Sequence, residues 1–546
     1  MVVEIEPFSL GEGLLYWILV MVAAVIVSLI VGFVASLAAY GASGPRRVAL
    51  VIQNGIKDLL FLSPRRIYAV ALLTFKEAQR RKAFMIGLLF LALFMFGGWF
   101  LGSGAASDRA AKPFVIFVMT AMSFLLILMA LLVSCWGIPA DIKARSLHTV
   151  VTKPVRRSEI VIGRMLGYIG VLTLVLVATA FCGYFWILQK VPANAQDQLI
   201  ARVPVYTPKL EFLDRNGNPG AGLNVGDIWE YRGFVEGGTN ARAVWTFENL
   251  DVAQLKKAGE LRLEQSFEAF RTFKGDVNQQ LRYTLTLLNP TTKLRIPIGT
   301  YSVQEHSNSA EKTTVTIPAE LTYRDSYDVS ATEKKVQIFD ELFDNGSLTV
   351  EVGGVESQQY IGASKYDMFI RLPDRTFLAT YTKACLGLWL LLVLIVIIGT
   401  SSSCFVKGPV ATILTGSLIF VGFVFRSRID KVLGDLVATS TGPIGGGSFE
   451  SMYRLLTQMN AVSPLSDNIG TRFIKFLDQG VFGILRVVNA MIPDLQYFST
   501  SEYPANGFDV PWATVLLPSL AITVGFLIPF IILGYFSLQL RELEHK

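Results

Sequence analysis

Charge, histidine and cysteine are all scarce in this chain, and each scarcity excludes something. Only 17% of the 546 residues are charged, against about a quarter in an average soluble chain. Hydrophobic residues make up 52%, and the mean hydropathy is +0.47. That balance excludes an ordinary soluble globule and indicates a membrane protein. The four cysteines, Cys135, Cys182, Cys385 and Cys404, lie in or beside apolar runs, which leaves no disulfide framework for an exported domain. There is no CxxC pair, and the three histidines, at 148, 306 and 545, are far apart, so zinc-site spacing is missing. No Gly-Lys dipeptide occurs, so the phosphate-binding lysine of a Walker A loop is absent and the chain does not hydrolyse ATP by that machinery. HExxH, GxSxG and paired intramembrane carboxylates are missing too, and catalysis within the chain has no motif behind it. His148 reads as a surface residue rather than a ligand.

What is present is a set of long apolar runs. A hydrocarbon core about 30 Å thick needs roughly 20 apolar helical residues. Seven runs reach or approach that length: Leu14–Tyr40, Ala83–Leu101, Pro113–Gly137, Ile160–Leu188, Phe377–Ile398, Pro409–Phe425 and Trp512–Leu538. The first is preceded by acidic rather than basic residues, and its core exceeds the roughly 7–15 apolar residues of a signal peptide. It is expected to be a retained anchor, residues 1–45.

Charge sets the expected orientation. Residues 1–45 hold no Lys or Arg, whereas 46–82 carry Arg46, Arg47, Lys57, Arg65, Arg66, Lys76, Arg80, Arg81 and Lys82 against Asp58 and Glu77. The positive-inside rule places 46–82 in the cytoplasm. Threading onward puts loop 139–159 inside, 190–376 outside, Lys407 inside, 426–511 outside and the tail after the 512–538 span inside. Arg426, Arg428 and Lys431 run against the rule. The net charge of +6 is thus accounted for by loops beside spans.

The outer insertion, 190–376, is long enough to bury its own core. Its second half alternates with period two in "LRYTLTLLN", "KLRIPIGTYSV", "KTTVTIPAEL", "KKVQIF" and "GSLTVEV", the pattern of a β-sandwich or jelly roll. Acidic and basic residues balance there, which gives no argument for a nucleic-acid partner. Asn345-Gly346-Ser347 reads as a turn, and 190–250 has no clear period. The fold class expected is a membrane α-helical protein with about seven transmembrane helices and a large extracytoplasmic, mainly-β insertion.

Two basic stretches stand out. Ser63-Pro64 is a helix start, followed by Ile67, Val70, Ala71, Phe75 and Ala78 on one face and Arg65, Lys76, Gln79 and Arg80 on the other. An amphipathic helix in the interface is expected over 46–82. In "ADIKARSLHTVVTKPVRRSEIVIGR", Asp141–Arg145 extends the preceding span, Pro154 breaks the chain, and Ser158 with Glu159 caps the next long helix. The spans carry few ionisable residues; Arg164 and Lys383 stand near span ends, where snorkelling is expected. That disfavours ion-coupled transport, which places charged groups along its pathway.

The hinge stretch, with Ser146, Val150-Val151, Pro154–Arg157, Glu159 and Gly163-Arg164, resembles the permease subunits of ATP-binding-cassette transporters of the type-two export family. Arg164 stands where that family usually has Lys, and Ala144-Arg145 where an acidic residue or glycine is common. "SPRRIYAVALLTFKEAQRRKAF" resembles the family's connecting helix, "SSSCFVKGPVATILTG" its short cytoplasmic turn, and "IPDLQYF" its outer re-entry region. The resemblance covers roughly 60–180 and 380–546. It implies an ATPase-coupling loop at 139–159 carrying Asp141, Arg145, Lys153, Pro154, Arg156, Arg157 and Glu159. It also implies a connecting helix carrying Arg65, Arg66, Lys76, Glu77, Arg80 and Arg81. The implied permease units are 83–189, 377–425 and 512–546, paired as a homodimer or heterodimer in the lipid bilayer of a bacterial inner membrane. ATP and Mg would be bound by a separate cytoplasmic ATPase subunit, with no cofactor in this chain. The anchor and the β-rich insertion are additions to the six-span pattern. The competing expectation is an anchored binding or assembly protein whose β-rich domain does the work.

Overall fold

The computed structural model describes residues 9–80, 85, 89, 92, 110–143, 155–220, 222–223, 232–271, 280–289, 291–304, 313–323, 334–426, 428–430, 432–433, 446–460, 463, 465–466 and 468–544. Two compact units result, one helical (1–199 with 377–546) and one mainly β (200–376).

The helical unit contains α1 (Leu10–Tyr40), α2 (Gly44–Leu60), α3 (Pro64–Arg80), α4 (Lys112–Lys143), α5 (Arg157–Lys190), α6 (Phe377–Phe405), α7 (Gly408–Val424), α8 (Ser448–Leu456), α9 (Ile469–Met491) and α10 (Leu517–Glu544). Among the described residues five helical stretches are long and apolar enough to cross a membrane: Leu10–Leu60, Lys112–Lys143, Arg157–Lys190, Phe377–Phe405 and Trp512–Gln539. The chain is a membrane protein on that count. The apolar helix Gly408–Val424 has 17 residues, the short end of what spans a bilayer core. The run expected at 83–101 lies outside the described residues, apart from three isolated positions.

The central helix is α6, 89% buried over its most apolar window, with α4, α5, α7 and α10 packed around it. Buried leucines, isoleucines and valines of α6 pack in these contacts, and polar side chains tie them, because apolar burial alone gives little drive between helices that lipid already solvates. Ser401 Oγ donates to the Phe530 carbonyl at 2.7 Å, Tyr381 to the Ala180 carbonyl at 3.0 Å, and Trp389 Nε1 to Thr173 Oγ1 at 2.8 Å. Lys383 does not snorkel: its ammonium pairs with Asp509 at 2.7 Å, both side chains being nearly buried. α1 is held more lightly, by Trp17 Nε1 donating to the Gly525 carbonyl at 3.0 Å.

In the β unit a six-stranded antiparallel sheet runs in the order Pro219–Gly220, Lys209–Leu213, Arg242–Phe247, Leu348–Gly354, Gln280–Leu288, Arg295–Gln304. A four-stranded sheet joins Ile200–Tyr206, Met368–Thr376, Glu260–Gln265 and Thr313–Pro318. Alternate residues of both sheets, including Trp245, Phe247, Tyr283, Leu285, Val350, Leu263, Ile317 and Ile370, share one core. Each of the five period-two stretches carries a strand. Among the described residues the Gly- and Asn-rich part at 190–250 holds five more that periodicity did not mark: Ile200–Tyr206, Lys209–Leu213, Pro219–Gly220, Gly233–Glu236 and Arg242–Phe247. Asn345 and Gly346 have φ of +47° and +77°, and Asp344 and Ser347 exchange backbone hydrogen bonds, the two-residue hairpin for which Asn-Gly is suited.

Ile200 pairs directly with Thr376, so the two ends of the β unit are strand neighbours. Residues 200–376 expressed alone are expected to unfold in a single transition. Trp245→Ala should lower stability by about 3–5 kcal/mol, as for other fully buried aromatics, measured by chemical denaturation.

Candidate functional site

The start of α5 is built around a carboxylate. Glu159, three residues past Arg156 and fully buried, accepts the Arg156 N–H at 3.0 Å through Oε2, which satisfies one of the orphan donors of the helix N-terminus. Its other oxygen accepts the Ser63 N–H at 2.9 Å and pairs with Arg66 Nη2 at 3.0 Å. The expected cap by Ser158 is corrected: its hydroxyl donates instead to the Asp58 carbonyl at 2.8 Å. Arg156 turns the same way, donating to the Lys57 carbonyl at 2.9 Å and lying over the Phe61 ring. Asp58 also accepts the Tyr535 hydroxyl of α10 at 2.9 Å. Thus the α2–α3 junction, the first turn of α5 and the last helix meet at one point.

From that point α3 lies along α5. Val70, Thr74 and Ala78 are its buried positions, with Ile67, Ala71 and Phe75 half-buried beside them, which is the face the spacing predicts plus Thr74. Thr74 is tolerated because its hydroxyl returns to the Val70 carbonyl at 2.8 Å. The facing residues of α5 are Gly163 and Gly167. A Cβ at Gly163 would stand 2.6 Å from Val70 Cβ, and one at Gly167 2.4 Å from Thr74 Cβ. Only glycine permits this approach, the small-xxx-small arrangement of close-packed membrane helices.

Between the glycines, Arg164 closes a second lock. It is 7% exposed, donates to Glu77 of α3 at 2.7 Å, and pairs with Asp141 near the end of α4. Arg164 therefore does not snorkel; two carboxylates on two other helices neutralise it where desolvation is expensive.

The sequence-predicted residues divide accordingly. Arg156, Glu159 and Arg66 come together at the first lock, and Glu77 and Asp141 meet Arg164 at the second, so the carboxylate of Glu159 is spent within the chain. Arg65, Lys76 and Arg80 are exposed on the far face of α3, and Arg157 is half-buried. Arg81, Arg145, Lys153 and Pro154 lie outside the described residues. The turn between α6 and α7 stands at the same end of the bundle, where Trp136 Nε1 donates to Thr412 Oγ1 at 3.1 Å. Sequence reasoning missed Asp58, Thr74, Gly167, Tyr535 and the pairing role of Arg164. Of these only Gly163-x-x-x-Gly167 has a signal in the linear sequence.

No protein-family model matches this chain, and neither a curated protein nor a solved structure does.

Replacing Arg164 by Met should remove the cation that Asp141 and Glu77 share and lower the stability of the helical unit by about 3–5 kcal/mol. Adding Asp141→Asn and Glu77→Gln to that variant should recover most of the loss, read by thermal unfolding in detergent. Gly167→Val should cost about 1–3 kcal/mol by overpacking against Thr74, and the further change Thr74→Ala should return part of it in the same assay.

Proposed function

We propose that this chain is the permease subunit of an ATP-binding-cassette transporter, driven by a separate cytoplasmic ATPase and exporting or acting on a substrate across a bacterial inner membrane. The observation that carries this reading is the double lock of α3 onto α5. A force applied to the loop between α4 and α5 meets a helix pair fixed by Glu159 at one point and by Arg164 about a turn further on. It moves α3, α5 and the end of α4 as one piece. Such a piece is what a permease needs to turn the closing of an ATPase dimer into displacement of its spans. Exposed Arg65, Lys76 and Arg80 are available to face that partner.

The permease reading also supplies the energy source that the chain lacks. ATP and Mg belong to the partner; here the residues act as levers and docking points, and none is assigned a catalytic role. The β unit, on this reading, lies on the opposite side of the membrane and meets the client. A second reading is favoured by one observation, the separate core of residues 200–376: the β unit alone binds a client and the helices anchor it.

The test is affinity purification of the full chain from its native membrane. An ATPase carrying Walker motifs should co-purify, and the charge reversal Lys153→Glu should release it while the thermal unfolding of the chain stays unchanged. Undiminished association would sink the loop assignment. Full client binding by residues 200–376 alone, with no ATPase recovered at any stage, would favour the second reading.

A further inference from the structure

Between α7 and α10 two helices pack inside out. Charged side chains fill the seam between α8 and α9. Asp478 of α9 accepts the Phe449 and Glu450 N–H groups at 2.9 Å each, capping α8. A Cβ at Gly447 would stand 2.2 Å from Asp478 Cγ, so the close entry requires glycine. Glu450 pairs with Arg454 at 2.7 Å, and Arg454 also donates to the carbonyls of Asn460 and Ser463 at 2.9 and 2.7 Å.

The outside is apolar. Ile469, Phe473, Phe476, Ile484 and Val487 share one stripe of α9 at 100° per residue, with Ile469 89% and Phe476 69% exposed, and Leu455 of α8 is 78% exposed. Arg472, Lys475 and Arg486, all exposed, fall within one sector on a single flank of the helix beside that stripe. The only carboxylate of α9 is Asp478, and it is turned inward, so the outward charge of the helix is purely cationic.

Position adds the second half of the case. Arg426, just past the end of α7, donates to the Asn489 carbonyl and, at 2.6 Å, to the Ile492 carbonyl. The Asn489 amide donates to Asp430 at 2.7 Å. The last turn of α9 is therefore tied to the place where an apolar helix runs out, which is where a membrane boundary falls. An apolar stripe edged by cations at that level is the surface of an interfacial helix.

We propose that the α8–α9 pair lies in the lipid–water interface, its Phe and Ile stripe among acyl chains and Arg472, Lys475 and Arg486 on anionic phospholipid headgroups. A second copy of the chain is a poorer occupant. In a two-fold contact through this face the same patch meets itself, and neither helix offers an exposed carboxylate to the cations. This inference stands independently of the permease assignment.

The experiment uses the full chain in nanodiscs of phosphatidylcholine with and without phosphatidylglycerol, carrying benzoylphenylalanine at Phe473, Phe476 or the half-buried Phe482, which stands on the side of α9 opposite the stripe. Irradiation should yield lipid adducts at Phe473 and Phe476 and few at Phe482. Phosphatidylglycerol should be enriched in the adducts roughly fivefold over its share of the bilayer, the scale expected for basic residues at an anionic surface. Arg472→Gln, Lys475→Gln and Arg486→Gln together should abolish the enrichment while adducts persist. Absence of lipid adducts at both outward positions, or cross-links to a second copy in their place, would overturn the interfacial placement. Enrichment unchanged in the triple variant would overturn the headgroup contact.

Discussion

Glu159 is a fully buried carboxylate at a helix N-terminus, and its burial constrains most of what surrounds it. Removing a carboxylate from water costs several kcal/mol unless its oxygens are satisfied. Here the Arg156 and Ser63 N–H groups and the Arg66 guanidinium satisfy them, with the N-terminal end of the α5 dipole adding to the favourable field. Two of those donors belong to the start of α3, so the two helices must begin side by side. Once they do, the residues of α5 that face α3 a turn later must be small, and Gly163 and Gly167 stand there. Arg164 sits on the same stretch and reaches Glu77 near the end of α3 and Asp141 near the end of α4. Capping, close packing and the buried ion triad are in that sense consequences of one choice of anchor.

Much of this architecture was legible in the linear sequence, and the reason is periodicity. Apolar runs of spanning length and the alternation in "LRYTLTLL" are properties of consecutive residues, and so is the acidic residue three positions into α5. Partnership is not such a property. The stem length of Arg164 and Lys383 allowed snorkelling toward water, but each instead meets carboxylates brought in from distant parts of the chain: Glu77 and Asp141 for one, Asp509 for the other. Their identity depends on helix crossing. Ser158 has the chemistry of a cap, yet Glu159 takes that role because the Asp58 carbonyl is within the serine's reach. The strands between 200 and 247 escaped notice because Gly- and Asn-rich turns interrupt them and because their inward positions are filled across two sheets rather than along one.

Polar groups organise the opposite end of α6 as well. Thr500 Oγ1 donates to the Ala384 carbonyl at 2.8 Å, Thr380 Oγ1 to the Phe508 carbonyl at 2.9 Å, and Lys383 holds Asp509. The segment before the last helix is thereby fastened over the end of α6 by groups that would be costly to bury alone. The same logic produces the inverted α8–α9 pair. Where lipid rather than water is the neighbour, the charged residues are the ones that need an interior, and Asp478, Glu450 and Arg454 supply it for each other.

These fastenings bear on how displacement passes through the helical unit. A helix absorbs a push by bending only where its backbone hydrogen bonds or its packing are weak. α6 is enclosed by four helices, and α5 is fastened to α3 and α4 within its first two turns, so neither has a free stretch near the loop in which to bend. α1 touches α10 through few groups, Trp17 among them, and its apolar faces are otherwise exposed. A displacement entering at the first turn of α5 must therefore be carried by whole helices moving against α6, while α1 is free to lag behind. The energetic barrier to such motion resides in hydroxyl and small-residue contacts, each worth about 1 kcal/mol or less in membrane interiors. Breaking an ionic lock costs more, because it leaves a charge desolvated without its partner. Helices bound by strong locks and sliding on weak contacts give a unit that shifts in discrete pieces, which is the mechanical requirement of the function proposed for it.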